Sequence, residues 1–290
     1  MNLNNLLIPR KKASIFEYAD AFYKFSQEVQ NKSRYVHSEE TSRFLEAISG
    51  FCSITEIPVN NSDTYYRCRL IKPNDIINHY HYKGRGIFGR VRTNALVPFP
   101  PEEIVPAPEH STNGRVNCDG IPVLYLSSDA ETAAAECRAY KGCFLSFGEF
   151  SFKQDLKIAS FSYVSQNTID KMKLNEEQKA DFNVWNSICF AFSRPAEFKP
   201  NKNEYVPTQI ISEKLKQSGF DGIKHPSSVG EGSNLVVFDP SKANCNRTYV
   251  REVSTVSVSL LPEAAVPSEN SEIENKIEAG LLSSSDKSGY

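Results

Sequence analysis

Between residues 114 and 142 the hydrophobic pattern of the chain changes rhythm. "IPVLYL" (121–126) is an unbroken apolar run of strand length, and "SSDAETAAAE" after it spaces small apolar residues at helical intervals. Ser128 and Glu131 fit the S-x-x-E capping box, which predicts a helix from near Asp129 to near Gly142. On that helix Ala130, Ala133, Ala134, Cys137 and Tyr140 share one face, and side chains that small let a helix lie close on a sheet. Glu136 falls at the edge of the face, beside a cleft. Tyr125, on the strand feeding the helix, is placed to point toward the same cleft.

The flanking pattern supplies the other elements. Over 13–30, Ile15, Ala19, Phe22 and Val29 lie near helical spacing, and 38–50 opens on a capping serine and ends on Gly50. Residues 1–60 therefore read as a small helical N-terminal segment. From "DTYYRCRLI" onward aromatic and β-prone residues predict strands, continued by "CFLSFGEFSF" and "LKIASFSYV". Helices are expected over 174–192 and 204–218, the latter stopped by Gly219, before two short strands in "FDGIKHPSS" and "NLVVFDP". Strands and helices mix without regular βαβ alternation, which predicts an α+β domain over 61–251. Residues 252–290 are polar, with no aromatic before Tyr290, and read as a flexible tail.

Composition narrows the classes. The chain has 290 residues, 40% of them apolar, enough for a sizeable core. A net charge of −2 gives no general reason to expect nucleic acid or an anionic membrane as partner. The sequence shows no secretory signal and no run near the roughly 18 apolar residues of a membrane span, so a cytoplasmic protein is expected. Seven cysteines (Cys52, Cys68, Cys118, Cys137, Cys143, Cys189 and Cys245) contain no C-x-x-C pair and read as reduced thiols.

Several motifs carry less than their letters suggest. "GRGIFG" matches G-x-G-x-x-G through Gly84, Gly86 and Gly89, but proline-rich sequence follows where a dinucleotide fold needs a helix. A loop made basic by Arg85, Arg90 and Arg92 fits better. His79 and His81 form an H-x-H pair without further ligands at metal-site spacing, so no metal is expected. No G-x-S-x-G elbow is present. Arg67, in the aromatic-flanked "YYRCR", needs an anionic partner, and a protein carboxylate is commoner than a ligand phosphate. Taken alone, Glu136 and Tyr125 fit a surface glutamate and a core tyrosine.

The motifs together say more. "GRVNCDGIPVLYLSSDAETAAAE" resembles the central signature of the RES domain family, named for an arginine, a glutamate and a serine, which includes bacterial toxins of toxin–antitoxin systems. "YYRCR" resembles that family's arginine-bearing first strand. "YVPTQIISEKLKQSGFDGIKHPSS" and "NLVVF" resemble its closing helix, glycine turn, serine and last strand, in order over about residues 63–240. The resemblance implies an ADP-ribosyltransferase-like fold, a mixed β-sheet with flanking helices, and a site for NAD+. It implies NAD+ as substrate, cleavage of the nicotinamide–ribose bond, no prosthetic group, and transfer of ADP-ribose to inorganic phosphate or water. By motif, the catalytic residues map to Arg67, Tyr125, Glu136 and Ser227. Ser228 is adjacent, Arg69 is a weaker candidate than Arg67, and Arg115 and Asn117 shape the pocket. Val116 stands where the family usually carries a bulky aromatic.

The chemistry suits these residue types. The reaction passes through an oxocarbenium-like state, which a carboxylate at Glu136 would stabilise. A guanidinium at Arg67 would fork onto the pyrophosphate, Tyr125 would stack on nicotinamide or bond the ribose, and Ser227 would orient the sugar. An enzyme that consumes NAD+ harms its own cell, so a neutralising antitoxin or immunity protein is expected. The helical segment is a candidate for holding that partner or for self-association into a homo-oligomer. The alternatives are an ADP-ribosyltransferase acting on a protein or nucleotide, and an inactive partner-binding module.

Overall fold

Period-two burial along the strands divides the apolar residues between two sides of one sheet. Along β7 (Ser233–Val237), Leu235 and Val237 join one core cluster and Val236 the other. The structure, a computed structural model, describes residues 15–72, 96–172, 174–194 and 202–258. The chain divides into two units, 1–254 and 255–290, and of the second only 255–258 are described. Among the described residues, no helix is long and apolar enough to cross a membrane.

The other strands are β1 (Ile57–Val59), β2 (Tyr65–Ile71), β3 (Leu124–Ser127), β4 (Phe144–Phe152), β5 (Leu156–Ser160), β6 (Gly222–Pro226) and β8 (Ala243–Glu252). They are ordered β1-β5-β6-β7-β3-β2-β4-β8. β5 and β6 run parallel and the remaining neighbours antiparallel. The sheet is mixed and flanked by helices, the α+β class expected from the pattern. One junction differs from the rest. β2 and β3 pair only through Tyr66 opposite Ser127, whereas β2 pairs with β4 along its full length from Tyr65 to Ile71. Beside that single rung the sheet opens.

Helices α1 (Ala21–Asn31), α2 (Glu39–Ile54), α5 (Glu176–Ser193) and α6 (Val206–Gln217) share a core cluster with Ala159, Ile223 and Val236. A short helix α3 (Ala130–Glu136) lies over the β2–β3 opening, and α4 (Gln166–Lys171) precedes α5. Trp185 anchors the helical side, its ring 4.4 Å from Phe51 and 5.1 Å from Phe161. Ordering rings like these contributes beyond their buried area.

Four elements depart from the pattern, each for a local reason. Residues 15–20 are not helical and Ala19 is exposed, because the Asp181 carboxylate accepts the amides of Ile15 and Phe16 at 2.8 and 2.9 Å. Helix α2 starts from its Ser38 cap but runs through Gly50 to Ile54, since Phe51 and Cys52 continue its buried stripe. Residues 57–59 are strand β1, paired with β5, within the stretch read as helical. Strand β8 escaped the pattern because it lies at the sheet edge with mostly exposed or half-buried residues. Helix α6 ends as predicted: Gly219 has φ +84°, Phe220 N–H donates to Leu215 O, and Gly219 N–H to Lys216 O, a Schellman close.

The "GRGIFG" loop with Arg85, Arg90 and Arg92, and the pair His79 and His81, lie outside the described residues.

Asp181 is 2% exposed and ties the entering chain to α5. Asp181→Ala should remove about 3 kcal/mol of stability, since hydrogen bonds to buried charged groups are worth that order. Urea unfolding of both proteins measures it. A loss below about 1 kcal/mol would show that the anchor carries little of the stability.

Candidate active site

The opening between β2 and β3 forms a cleft of about 350 Å³. Helix α3 crosses one side. Cys68 Sγ on β2 donates to Ala133 O at 3.1 Å, and Ala133 is 4% exposed, so its small side chain permits this approach. Its neighbours are less involved: Ala130, Ala134 and Cys137 are partly buried against the same cluster, and Tyr140, beyond the helix, is 55% exposed.

Helix α3 starts next to Asp129 as predicted, but its capping residue and its C-terminal end differ. The N-cap is Asp129, whose Oδ1 accepts Thr132 N–H at 2.6 Å. Ser128 remains in the ladder, giving its N–H to Ser233 O. The helix stops at Glu136, short of Gly142. Arg138 takes φ +52°, Arg138 N–H donates to Ala135 O and Ala139 N–H to Ala134 O. This is the same Schellman close as at Gly219, made with a residue that carries a side chain. A non-glycine there stores about 1 kcal/mol of strain. The early stop puts Glu136 on the last helical turn, facing the cleft.

Glu136 is held from the β6–β7 hairpin. Its Oε1 accepts Ser227 Oγ–H at 2.7 Å and Asn234 Nδ2–H at 2.5 Å. Ser227 Oγ in turn accepts Val229 N–H at 3.2 Å and Gly230 N–H at 3.0 Å. Asn234 Oδ1 accepts Ser127 Oγ–H at 2.9 Å. Oε2 of Glu136 makes no hydrogen bond to the described residues. The hairpin sits so near α3 that a Cβ on Gly232 would collide with Asp129 and Ser128. Of the two candidate serines, Ser227 grips Glu136, while Ser228 lines the cleft without touching it.

Arg67 lines the cleft from β2. Its Nη1 is buried with no hydrogen-bond partner among the described residues. Burial lowers its pKa first, and nearby Arg69 adds to this, yet a guanidinium stays charged at physiological pH. The ion pair expected from the strand alone is absent among the described residues. A buried cation with an unsatisfied donor is costly, a cost that an anion in the cleft would offset. Arg69 is elsewhere: its Nη1 donates to Glu103 O at 2.5 Å and its guanidinium lies 4.8 Å over Phe99. It does not line the cleft.

Tyr125 shows its ring to the cleft and commits its hydroxyl to the preceding turn. The O–H donates to Asn117 Oδ1 at 2.9 Å and accepts Val116 N–H at 3.0 Å. A Cβ on Gly114 would stand 2.6 Å from that hydroxyl, which explains the glycine. Burial pushes the phenol pKa up. The hydroxyl is thus not free to bond a ribose. Asn117 is structural too, its Nδ2 donating to the carbonyls of Thr112, Cys118 and Ile121. Arg115 lines the cleft but spends its guanidinium on Ala191 O and Arg194 O, stacked 5.1 Å over Tyr205.

Two contributors were invisible to motif reading. Asn234 and His225 stand opposite each other across β6 and β7, and both line the cleft. The signal that could have found them is strand register around the serine. His225 is 8% exposed and sits 2.9 Å through Nδ1 from Pro226 O, so Nδ1 carries the hydrogen. Burial lowers its pKa, with Arg115 in the same direction and Glu136 opposing.

A family model described as the RES domain matches residues 90–258, a span that starts after Arg67. No curated protein matches the chain. Among solved structures, the chain is similar to the M. tuberculosis MbcT-MbcA toxin-antitoxin complex at 11% identity, with a TM-score of 0.36, over 71% of this chain and 92% of that one.

His225 gives a pH prediction. Unfolded, the imidazole titrates near its ordinary 6.5; folded, it titrates lower. Between the two values the unfolded chain holds the extra proton, so stability falls as pH drops below 6.5 and through the folded value. His225→Gln should flatten this slope. The drop in urea midpoint between about pH 7.5 and about pH 5 should be larger for the wild type, and equal drops would assign the acid sensitivity to other groups.

Proposed function

The chain belongs to the RES domain family, and on that premise we propose that it cleaves the bond between nicotinamide and ribose in NAD+. The observation that carries the reading is the pairing on one cleft of Glu136, whose Oε2 makes no hydrogen bond among the described residues, and Arg67, whose buried Nη1 has no hydrogen-bond partner among them. These are the two charges that an oxocarbenium-forming sugar and an adjoining pyrophosphate would need.

In the mechanism, Arg67 holds the pyrophosphate through charge-assisted hydrogen bonds. The Tyr125 ring supplies a flat apolar surface for nicotinamide, its hydroxyl being engaged elsewhere. As the glycosidic bond lengthens, positive charge builds on the ribose and the Glu136 carboxylate stabilises it. Nicotinamide leaves as a neutral base, so no strong general acid is required. Ser227 and Asn234 position Glu136 through Oε1, leaving Oε2 for the ribose. The site employs no prosthetic group. ADP-ribose then passes to inorganic phosphate or to water. Such an enzyme acts as a toxin and requires a neutralising protein partner, an antitoxin or immunity protein.

Purified protein should release nicotinamide from NAD+. Glu136→Gln, folded, should lower kcat about 100-fold with a smaller effect on KM, as expected for a charge that acts in the transition state. Asn234→Ala should lower kcat about tenfold, the worth of one hydrogen bond to a charged group. Mass spectrometry with and without phosphate identifies the acceptor: ADP-ribose for water, a phosphorylated ADP-ribose for phosphate. Intact NAD+ under both conditions, or label appearing on a macromolecule instead, would overturn the reading.

A further inference from the structure

The residues immediately after Arg67 and Glu136 are both cysteines, and the fold brings them together. Cys68 Sγ lies 3.3 Å from Cys137 Sγ. Cys68 also donates to Ala133 O, and Cys137 Sγ lies 3.1 Å from Cys68 O, so each thiol is directed at the other's element. Both line the cleft. Cys68 is 5% exposed, while Cys137 is half-buried and caps α3. We propose that Cys68 and Cys137 are an oxidation site, converted by a peroxide into a disulfide that joins β2 to the end of α3 and turns the cleft off.

The order of events follows from the environment. Cys137 is the more accessible thiol, and its thiolate is favoured by the hydrogen bond from Cys68 and by the Arg67 charge, against burial. Burial and its bond to Cys137 hold Cys68 protonated. Cys137 thiolate attacks one oxygen of the peroxide, the O–O bond breaks, and a sulfenic acid forms with release of hydroxide, which becomes water. Cys68 sulfur then attacks Cys137 sulfur, the S–O bond breaks, and hydroxide leaves, taking up the Cys68 proton as a second water. Two thiols lose two electrons, and hydrogen peroxide gains them.

Closing 3.3 Å to a covalent bond of about 2.05 Å draws the two sulfurs together by more than an ångström. The residues moved are direct neighbours of Arg67 and Glu136, and Glu136 is seated by short hydrogen bonds to the β6–β7 hairpin, which the new bond does not join. A displacement of that size in a positioned catalytic group is enough for a large loss of rate. The effect on turnover rests on the proposed NAD+ cleavage; the disulfide does not.

The test treats full-length reduced protein with hydrogen peroxide, blocks free thiols with iodoacetamide and maps the peptides by mass. A Cys68–Cys137 linked peptide, removed by dithiothreitol, is expected, together with a reversible loss of NAD+ cleavage of at least tenfold. In Cys68→Ala, Cys137 should stop at the sulfenic acid and be trapped by dimedone. Linkage of Cys137 to Cys143, or oxidation without a link in the wild type, overturns the site. A Cys68–Cys137 link with unchanged turnover overturns the switching role. Absence of NAD+ cleavage in the reduced protein overturns the proposed activity, while the peptide map still decides the disulfide.

Discussion

The molecule depends on how little joins β2 to β3. Eight strands in continuous register would give a closed surface with no room between them. A single rung, Tyr66 opposite Ser127, keeps the sheet whole while letting the two strands part. Arg67, Tyr125 and Glu136 all border this parting. Arg67 follows the rung on β2, Tyr125 precedes it on β3, and Ser127 at the rung contacts Asn234, which contacts Glu136. Backbone groups freed from the ladder need other partners. Helix α3 covers the gap, with a cysteine S–H of β2 meeting a helix carbonyl.

The charges around the gap are treated unequally. Glu136 is over-provided, with two donors on one oxygen and a hairpin folded to present them. Arg67 is under-provided, its buried Nη1 having no hydrogen-bond partner among the described residues. Arg115 and Arg194 show the ordinary solution, spending their guanidinium groups on carbonyls and on Glu204.

Much of this was legible in the chain, and the boundary of legibility is physical. Strands β2 to β7 and helices α2, α5 and α6 announce themselves through periodicity, because each buries one face. Strand β8 buries too little to do so, and β1 is three residues long. Gly50 and Gly142 were natural places to end helices, but packing carried one helix past the first and an arginine in left-handed conformation ended the other before the second. The ordered motifs brought Arg67, Tyr125, Glu136 and Ser227 to one place. They left unstated that Ser227 serves Glu136 and that the Tyr125 hydroxyl belongs to its turn. Asn234 and His225 were hidden because their importance comes from strand register, which a linear pattern does not contain. Arg69, two residues from Arg67, was drawn in by proximity and is bound elsewhere.

The attachment of the leading segment has a consequence for variation. Asp181 grips Ile15 and Phe16 through main-chain amides, which every residue except proline possesses. The hydrogen bonds are therefore blind to side-chain identity, but the positions are not: Phe16 is buried, with its ring 5.7 Å from Phe44 and 6.4 Å from Phe51. A polar residue at position 16 would keep its hydrogen bond to Asp181 and lose the ring packing, so the segment is fastened twice, once by a carboxylate and once by the aromatic cluster it shares with α1 and α2.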